Sequence, residues 1–401
     1  MCEDQRTLRH LLLGLDDADI DVLFPQLRSN ILPSDTFLDG LSLENASTVK
    51  RACLITFALA RHIILKEWQL ATTLDILAGR DTVLNASTGA GKTMLIVLPM
   101  LLRPGSISIT VSPLKRLMSS QAAELRRYGL RAAIVNEDTS HDPELFQAIL
   151  DGYYDHVHIS PEQLQRHQGH FTRFYHLLDK PAFRRRIRVI NIDEGHEAGR
   201  AALGLDSFRS SYARLSTFRL KLPCDIPFVV LSATLPRHIV SPLSKLLLLK
   251  DPKETRLCLN RSNIYYAVKP LITGTKEFRN LSLLIPTSAD LLSSLRKTII
   301  FFDDKRELDG ACHFLRKECA RLMDPTPGKH QIPSAARTLI MGYHSDMSST
   351  YLQSAYEDFN SPEGSCKILC ATACAATVGS VNMFLFTNIA NSIIGSRFPT
   401  C

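Results

Sequence analysis

Apolar residues recur along this chain in two different rhythms. Over residues 1 to about 60 they are spaced for amphipathic helices. Leu11, Leu12, Leu13, Leu15, Ile20, Val22, Leu23 and Phe24 supply the apolar faces, and Pro25 and Pro33 break the pattern. From about 60 to 255, short apolar runs alternate with helix-like segments. The runs at 81–86, 107–112, 132–135, 156–160, 187–192 and 228–232 read as strands. A second series begins near 256, with strand-like runs at 264–268, 298–302, 338–343 and 367–371 and helix-like segments at 304–320 and 348–359. The stretch 270–286 reads as an insertion or an edge loop. Short buried strands separated by helices predict parallel sheets covered on both faces. The expected fold class is therefore α/β. It comprises an N-terminal helical accessory region (1–60), a first lobe (61–255) and a smaller second lobe (256–401).

Composition narrows this picture only a little. A hydrophobic content of 45% is that of a globular protein, and no low-complexity tract argues for disorder. With 47 Lys and Arg against 40 Asp and Glu, the net charge of +7 permits a polyanionic partner without requiring one. The densest basic run, Arg184, Arg185, Arg186 and Arg188, reads as a solvated edge. Ten cysteines occur without a C-x-x-C pair, and Cys366, Cys370 and Cys374 straddle a strand-like run. Buried thiols in a reducing compartment are expected, and no zinc site. No apolar run approaches the length of a membrane span, and the acidic start M-C-E-D-Q-R lacks the shape of a signal peptide. The expectation is a soluble intracellular protein without a membrane partner, in the nucleus if the source is eukaryotic, or in the cytoplasm.

Candidate chemistry centres on Ala86 to Thr93, A-S-T-G-A-G-K-T, between the apolar stretches Thr82–Leu84 and Met94–Leu98. A strand, a Gly-containing turn and a helix start are what a phosphate-binding loop needs. Gly89 and Gly91 let the backbone approach an anion. Thr88, Gly89, Ala90, Gly91, Lys92 and Thr93 form the expected cradle, with backbone N–H groups aimed at the phosphates and aided by the helix dipole. Lys92 would reach the β- and γ-phosphates, and the Thr93 hydroxyl would bind Mg²⁺. The strict pattern G-x-x-x-x-G-K-[S/T] has Ala86 at its first position, and a Gly-rich turn with a chance Lys-Thr pair is the alternative.

Further along, Asp193-Glu194-Gly195-His196 follows an apolar strand. A carboxylate there can hold Mg²⁺ through its water shell, and its neighbour can position and deprotonate water. Asp193 takes the first role and Glu194 the second; two solvated acids in a turn are the alternative. Ser232-Ala233-Thr234 follows another apolar strand, where small hydroxyls could bond the Asp193/His196 region or simply cap a helix. Gln69, in L-K-E-W-Q, has an amide able to read an adenine edge. Ser112-Pro113 and Ser160-Pro161 each lie just past a strand, where exposed hydroxyls could hold a phosphate backbone or mark an ordinary turn. Phe208, Arg209 and Tyr212 could stack on bases or form a core-facing stripe.

Taken in order, Gln69, A-S-T-G-A-G-K-T, S-P-L, S-P-E, D-E-G-H and S-A-T resemble the two-lobed helicases of the DEAD/DEAH type. The likeness is greatest to the RecQ family of DNA helicases and covers about residues 62–372. L-K-E-W-Q resembles that family's F-R-x-x-Q, with Lys66 in the Arg position. D-E-G-H-E followed by D-S-F-R-S-S-Y-A-R-L resembles its D-E-A-H-C and aromatic loop. L-N-R-S-N-I-Y-Y and G-Y-H-S-D-M resemble its link into the second lobe and its Y-H-A-G-L. The resemblance implies two RecA-like P-loop lobes and an ATP- and Mg²⁺-dependent motor moving 3′ to 5′ on single-stranded or forked DNA, with an RNA helicase as the less favoured alternative. It implies that Lys66 and Gln69 join the nucleotide site, that Lys92, Thr93, Asp193 and Glu194 run hydrolysis, and that His196, Ser232 and Thr234 couple it to DNA held by Ser112, Pro113, Ser160, Phe208, Arg209 and Tyr212. Three departures stand out. Gly195 replaces an Ala, the aromatic loop lacks its Trp, and A-T-A-C-A-A-T-V-G-S-V-N from Ala371 is followed by no Q-x-x-G-R-x-G-R. That element supplies the family's arginine fingers, so an incomplete second lobe with weak or absent activity is expected.

Overall fold

In the computed structural model, residues 2–28, 31–139, 142–164, 166–167, 170–204, 210–260, 278–292, 294–324, 332–372 and 384–387 are described. The chain divides into two compact units, Met1–Arg261 and Ser262–Cys401. Phe208, Arg209 and the expected strand 264–268 lie outside the described residues.

The first unit is built on a parallel sheet. Its strands are β1 (Thr82–Asn85), β2 (Ile107–Val111), β3 (Ala132–Val135), β4 (His156–Ile159), β7 (Ile187–Ile192), β8 (Phe228–Ser232) and β9 (Lys253–Arg256), in the order β3-β4-β2-β7-β8-β1-β9. A small antiparallel ribbon, β5 (Arg166–His167) and β6 (His170–Phe171), stands apart. Six of the seven sheet strands coincide with the apolar runs. The seventh, K-E-T-R, shows no apolar pattern because it is an edge strand paired only with β1, where charged side chains can face water. The register of β1 on β8 sets Asn85 opposite Ser232, so the chain leaves both strands side by side at their carboxyl ends.

The N-terminal helices are part of this unit's core. Val49, Ala52, Cys53 and Ile55 of helix Leu43–Leu59 pack in one cluster with Leu95, Ile96 and Leu98 of helix Met94–Leu102, which follows the phosphate loop. The buried Arg9 of helix Cys2–Gly14 donates to the carbonyls of Met100 and, at 2.9 Å, of Leu101. A cation at a helix C-terminus satisfies carbonyls the helix leaves open. At the other end of β1, buried Asp81 takes both guanidinium nitrogens of Arg219 at 3.0 and 2.9 Å and the N–H groups of Phe228 and Lys250.

The second unit carries β10 (Thr298–Phe301), β11 (Ile340–Tyr343), β12 (Ile368–Ala371) and β13 (Phe384–Thr387), all parallel, in the order β11-β12-β10-β13. Helices Lys305–Met323 and Ser349–Asn360 match their predicted spans to within a few residues. Cys312, Cys319, Cys366 and Cys370 are free and buried here, as the sequence led us to expect. Among the described residues no group of His, Cys, Asp and Glu could hold a metal ion, and no helix is long and apolar enough to cross a membrane.

Candidate active site

The loop from Ala86 to Thr93 connects β1 to helix Met94–Leu102. Gly89 and Gly91 have φ of +80° and +95°, which L side chains rarely adopt, so the two glycines are required by the turn. The backbone N–H groups of Gly89, Gly91 and Lys92 have no acceptor among the described residues, and a Cβ built on Gly89 would meet nothing within 4 Å. Lys92 folds back over the loop, donating from Nζ to Ala86 O at 2.9 Å and Ser87 O at 3.2 Å. Burial lowers its pKa, while the charges of Glu194 and Asp193 oppose that shift. One ammonium and two carboxylates therefore lie within one another's field beyond the carboxyl ends of β1 and β7.

Asp193 is buried. Its Oδ2 accepts from Gln121 Nε2 at 2.9 Å and its Oδ1 from the Glu194 N–H at 2.9 Å. Burial, reinforced by the charge of Glu194, raises its pKa to about 6. Glu194 sits in the left-handed region at φ 50°, which turns the chain sharply from β7 into helix Gly195–Ala202. Gly195 has a steric reason for replacing the Ala of the resembling family. A Cβ there would lie 2.2 Å from Val230 Cγ1. Gly195→Ala is expected to cost about 2 kcal/mol of unfolding free energy. Combining it with Val230→Ala should give back about 1 kcal/mol or more of coupling in a urea-denaturation double-mutant cycle.

His196 lies between two acids, with Nδ1 at 3.2 Å from Glu194 Oε2 and Nε2 at 3.4 Å from Glu197 Oε1. Burial works against its charge, but hydrogen bonding to the two carboxylates outweighs it and raises the pKa to about 9, so the ring is cationic at neutral pH. His196 Nδ1 also lies 3.2 Å from Ser232 Oγ, which accepts the Thr234 N–H at 3.1 Å. The Ser232 carbonyl in turn accepts the Ala86 N–H at 3.0 Å. The phosphate loop, S-A-T and D-E-G-H are thus joined by consecutive bonds across three adjacent strands.

Other predicted residues fall differently. Gln69 is buried rather than presented to a base. Its Oε1 accepts the Lys66 N–H at 2.8 Å and its Nε2 donates to Gly91 O at 2.9 Å, while Lys66 Nζ reaches Ala90 O at 3.0 Å. Both residues brace the loop. Ser112, Pro113 and Ser160 are buried, so the exposed hydroxyls expected at these turns are absent. Tyr212 is fully buried, with its hydroxyl donating to Asp193 O at 3.2 Å, and the core-facing alternative holds for it. Thr88 and Thr234 are exposed.

Two residues escaped the sequence reading. Helix Lys115–Arg127 carries Gln121, which holds Asp193, and Glu124, which bonds Thr93 and whose pKa burial raises. Both lie beside the apolar face of Met118, Ala122 and Leu125. A polar pair three residues apart at the edge of a buried stripe was the available signal.

A family model described as DEAD/DEAH box helicase matches residues 66–241. Among curated relatives, the ATP-dependent DNA helicase Q-like 2 of Arabidopsis thaliana is 29% identical over 198 residues, covering 48% of this chain and 27% of that protein. The ATP-dependent helicase SGS1 of Saccharomyces cerevisiae is 29% identical over 215 residues, covering 52% of this chain and 14% of that protein. The chain spans about a quarter or less of the length of these relatives, which are of the RecQ type. Among solved structures, S. cerevisiae Dbp5 bound to RNA and ADP BeF3 superposes with a TM-score of 0.52 at 18% identity, over 88% of this chain and 80% of that one. That likeness is one of fold.

Proposed function

We propose, from the match of residues 66–241 to the DEAD/DEAH box helicase model, that the chain binds ATP with Mg²⁺ at the phosphate loop and couples hydrolysis to movement on nucleic acid. The observation that carries the reading is Lys92 folded over a loop whose Gly89, Gly91 and Lys92 N–H groups lack acceptors among the described residues, within the field of Asp193 and Glu194. The donor set fits a magnesium–triphosphate: backbone N–H groups, an ammonium, a hydroxyl and carboxylates.

On this reading Lys92 would exchange its two loop carbonyls for the β- and γ-phosphates, and Thr93 and Asp193 would hold Mg²⁺. The ion, when bound, neutralises phosphate charge. Glu194 orients the attacking water and accepts its proton. Gln121 and Glu124 position Asp193 and Thr93, and Lys66 and Gln69 fix the loop beneath them. His196 and Ser232 link the carboxylates to β8 and to the exposed Thr234, the route by which nucleotide state would reach nucleic acid. With Ser112 and Ser160 buried, the backbone of their turns would carry phosphate contacts.

The RecQ-type relatives favour DNA as partner, with single-stranded translocation 3′ to 5′ as the specific form of the proposal. The test is ATP turnover by the full chain alone, with single-stranded DNA, and with RNA of equal length. Turnover stimulated by DNA above RNA is the expected result. Stronger stimulation by RNA moves the substrate class, nucleotide binding without turnover leaves an ATP-binding scaffold, and no nucleotide binding overturns the reading.

A further inference from the structure

At the amino ends of the strands, remote from the phosphate loop, a cleft of about 690 Å³ opens among the segments leading into β1, β2, β7 and β8. Arg103, Arg185, Arg186 and Arg188 line it, against one acid, Asp225. A second cavity of about 250 Å³ shares its Pro104–Ser106 wall and Arg186, and adds Arg6, Arg9 and Arg131 with Asp155. Together they form one trough lined by seven arginines and two aspartates.

Several of these arginines are committed to the fold. Arg186 donates to the carbonyls of Ile149, Leu150 and Tyr154, Arg103 to that of Leu77, and Arg6 pairs with Asp155 at 2.5 Å. Arg185 and Arg188 are not. Both are exposed, and neither side chain has a hydrogen bond or an acidic partner among the described residues. Arg188 instead faces the like charge of Arg103, whose pKa burial lowers, with Arg188 adding to the effect. Like charges gathered around a concavity without compensation are relieved by a bound anion. Guanidinium forks match phosphate oxygens in pairs. The trough also continues from one cavity to the next, which suits a row of phosphates better than one.

We propose that this trough is a second anion site, seating the phosphate backbone of a nucleic-acid strand behind the sheet, roughly 16 Å along the strands from the nucleotide loop. The inference rests on the reading above only for the identity of the polyanion.

The test compares the full chain with the double variant Arg185→Ala/Arg188→Ala, following anisotropy of fluorescein-labelled single-stranded DNA between about 50 and 200 mM salt. Affinity should fall roughly tenfold at low salt, and the slope of log affinity on log salt should drop by about 1.4, or about 0.7 for each lost phosphate contact. ATP binding should be unchanged, since neither side chain approaches the phosphate loop. An unaltered affinity and slope overturn the proposal. So does a variant that loses binding of inorganic tripolyphosphate or of poly-glutamate while keeping full DNA affinity, which would assign the trough to a free polyphosphate or an acidic protein. DNA-stimulated ATP turnover with an unaltered slope sinks only this inference. No DNA binding by the wild-type chain sinks both.

Discussion

Lys92→Ala is expected to lower ATP turnover by at least on the order of 10²–10³, the loss typical when one charge-stabilising group leaves a preorganised site. The expectation is local. Lys92 is the cation bound to the loop's own carbonyls at Ala86 and Ser87 and lying in the field of Asp193 and Glu194. Removing it leaves two carboxylates facing a triphosphate with one counter-charge fewer. Lys92→Arg should not rescue the rate, because the loop closes around a slender ammonium and a planar guanidinium has a different reach. Phosphate release by wild type and variants, with thermal unfolding as a control for the loop, measures both points. Turnover within a fewfold of wild type in Lys92→Ala would sink the assignment.

Acidification from pH 7 to pH 5 is expected to remove about 2 kcal/mol of stability from the first unit through His158 of β4, with His156 adding to it. His156 and His158 point to the same face, their rings 4.4 Å apart, and both are fully buried. Among the described residues, His156 has a hydrogen bond only with Ser108, and neither ring nitrogen of His158 has a hydrogen-bond partner. Burial holds the His158 pKa down at about 3, with the positive charge of Arg126 adding to it, and burial with the charge of His158 holds His156 well below 6.5. Both stay neutral in the fold, whereas the unfolded chain takes up protons below its ordinary histidine value of about 6.5. The unfolded state therefore binds more protons as pH falls; His158 costs about 2 kcal/mol by pH 5, and His156 acts in the same direction. Asp193, with its raised pKa, acts in the opposite direction over part of this range. Urea unfolding of wild type beside His158→Leu at both pH values isolates the effect. The variant should lose about 2 kcal/mol less, and equal losses would show that the pair does not report on acid.

Much of the first unit is readable from sequence because its strands are buried on both faces, so Val83, Ile109, Val157, Ile190 and Val230 stand in short apolar runs. The loop and the acids after β7 are readable for a related reason: chemistry in such sheets gathers beyond the carboxyl ends. What escapes is set by contacts across the chain. Gln121 and Glu124 gain meaning only when helix Lys115–Arg127 lies against Asp193 and Thr93. Tyr212 looks like a base platform until its hydroxyl is seen on Asp193 O. The N-terminal helices look accessory until Arg9 is found on the far end of the helix after the phosphate loop.

The inward turn of Gln69 has a consequence for the loop. Its buried amide accepts the Lys66 N–H and donates to Gly91 O, so one side chain ties the start of its helix to the backbone of the glycine at φ +95°. The loop is thereby clamped from beneath, and a change at Gln69 acts on the phosphate cradle through that clamp.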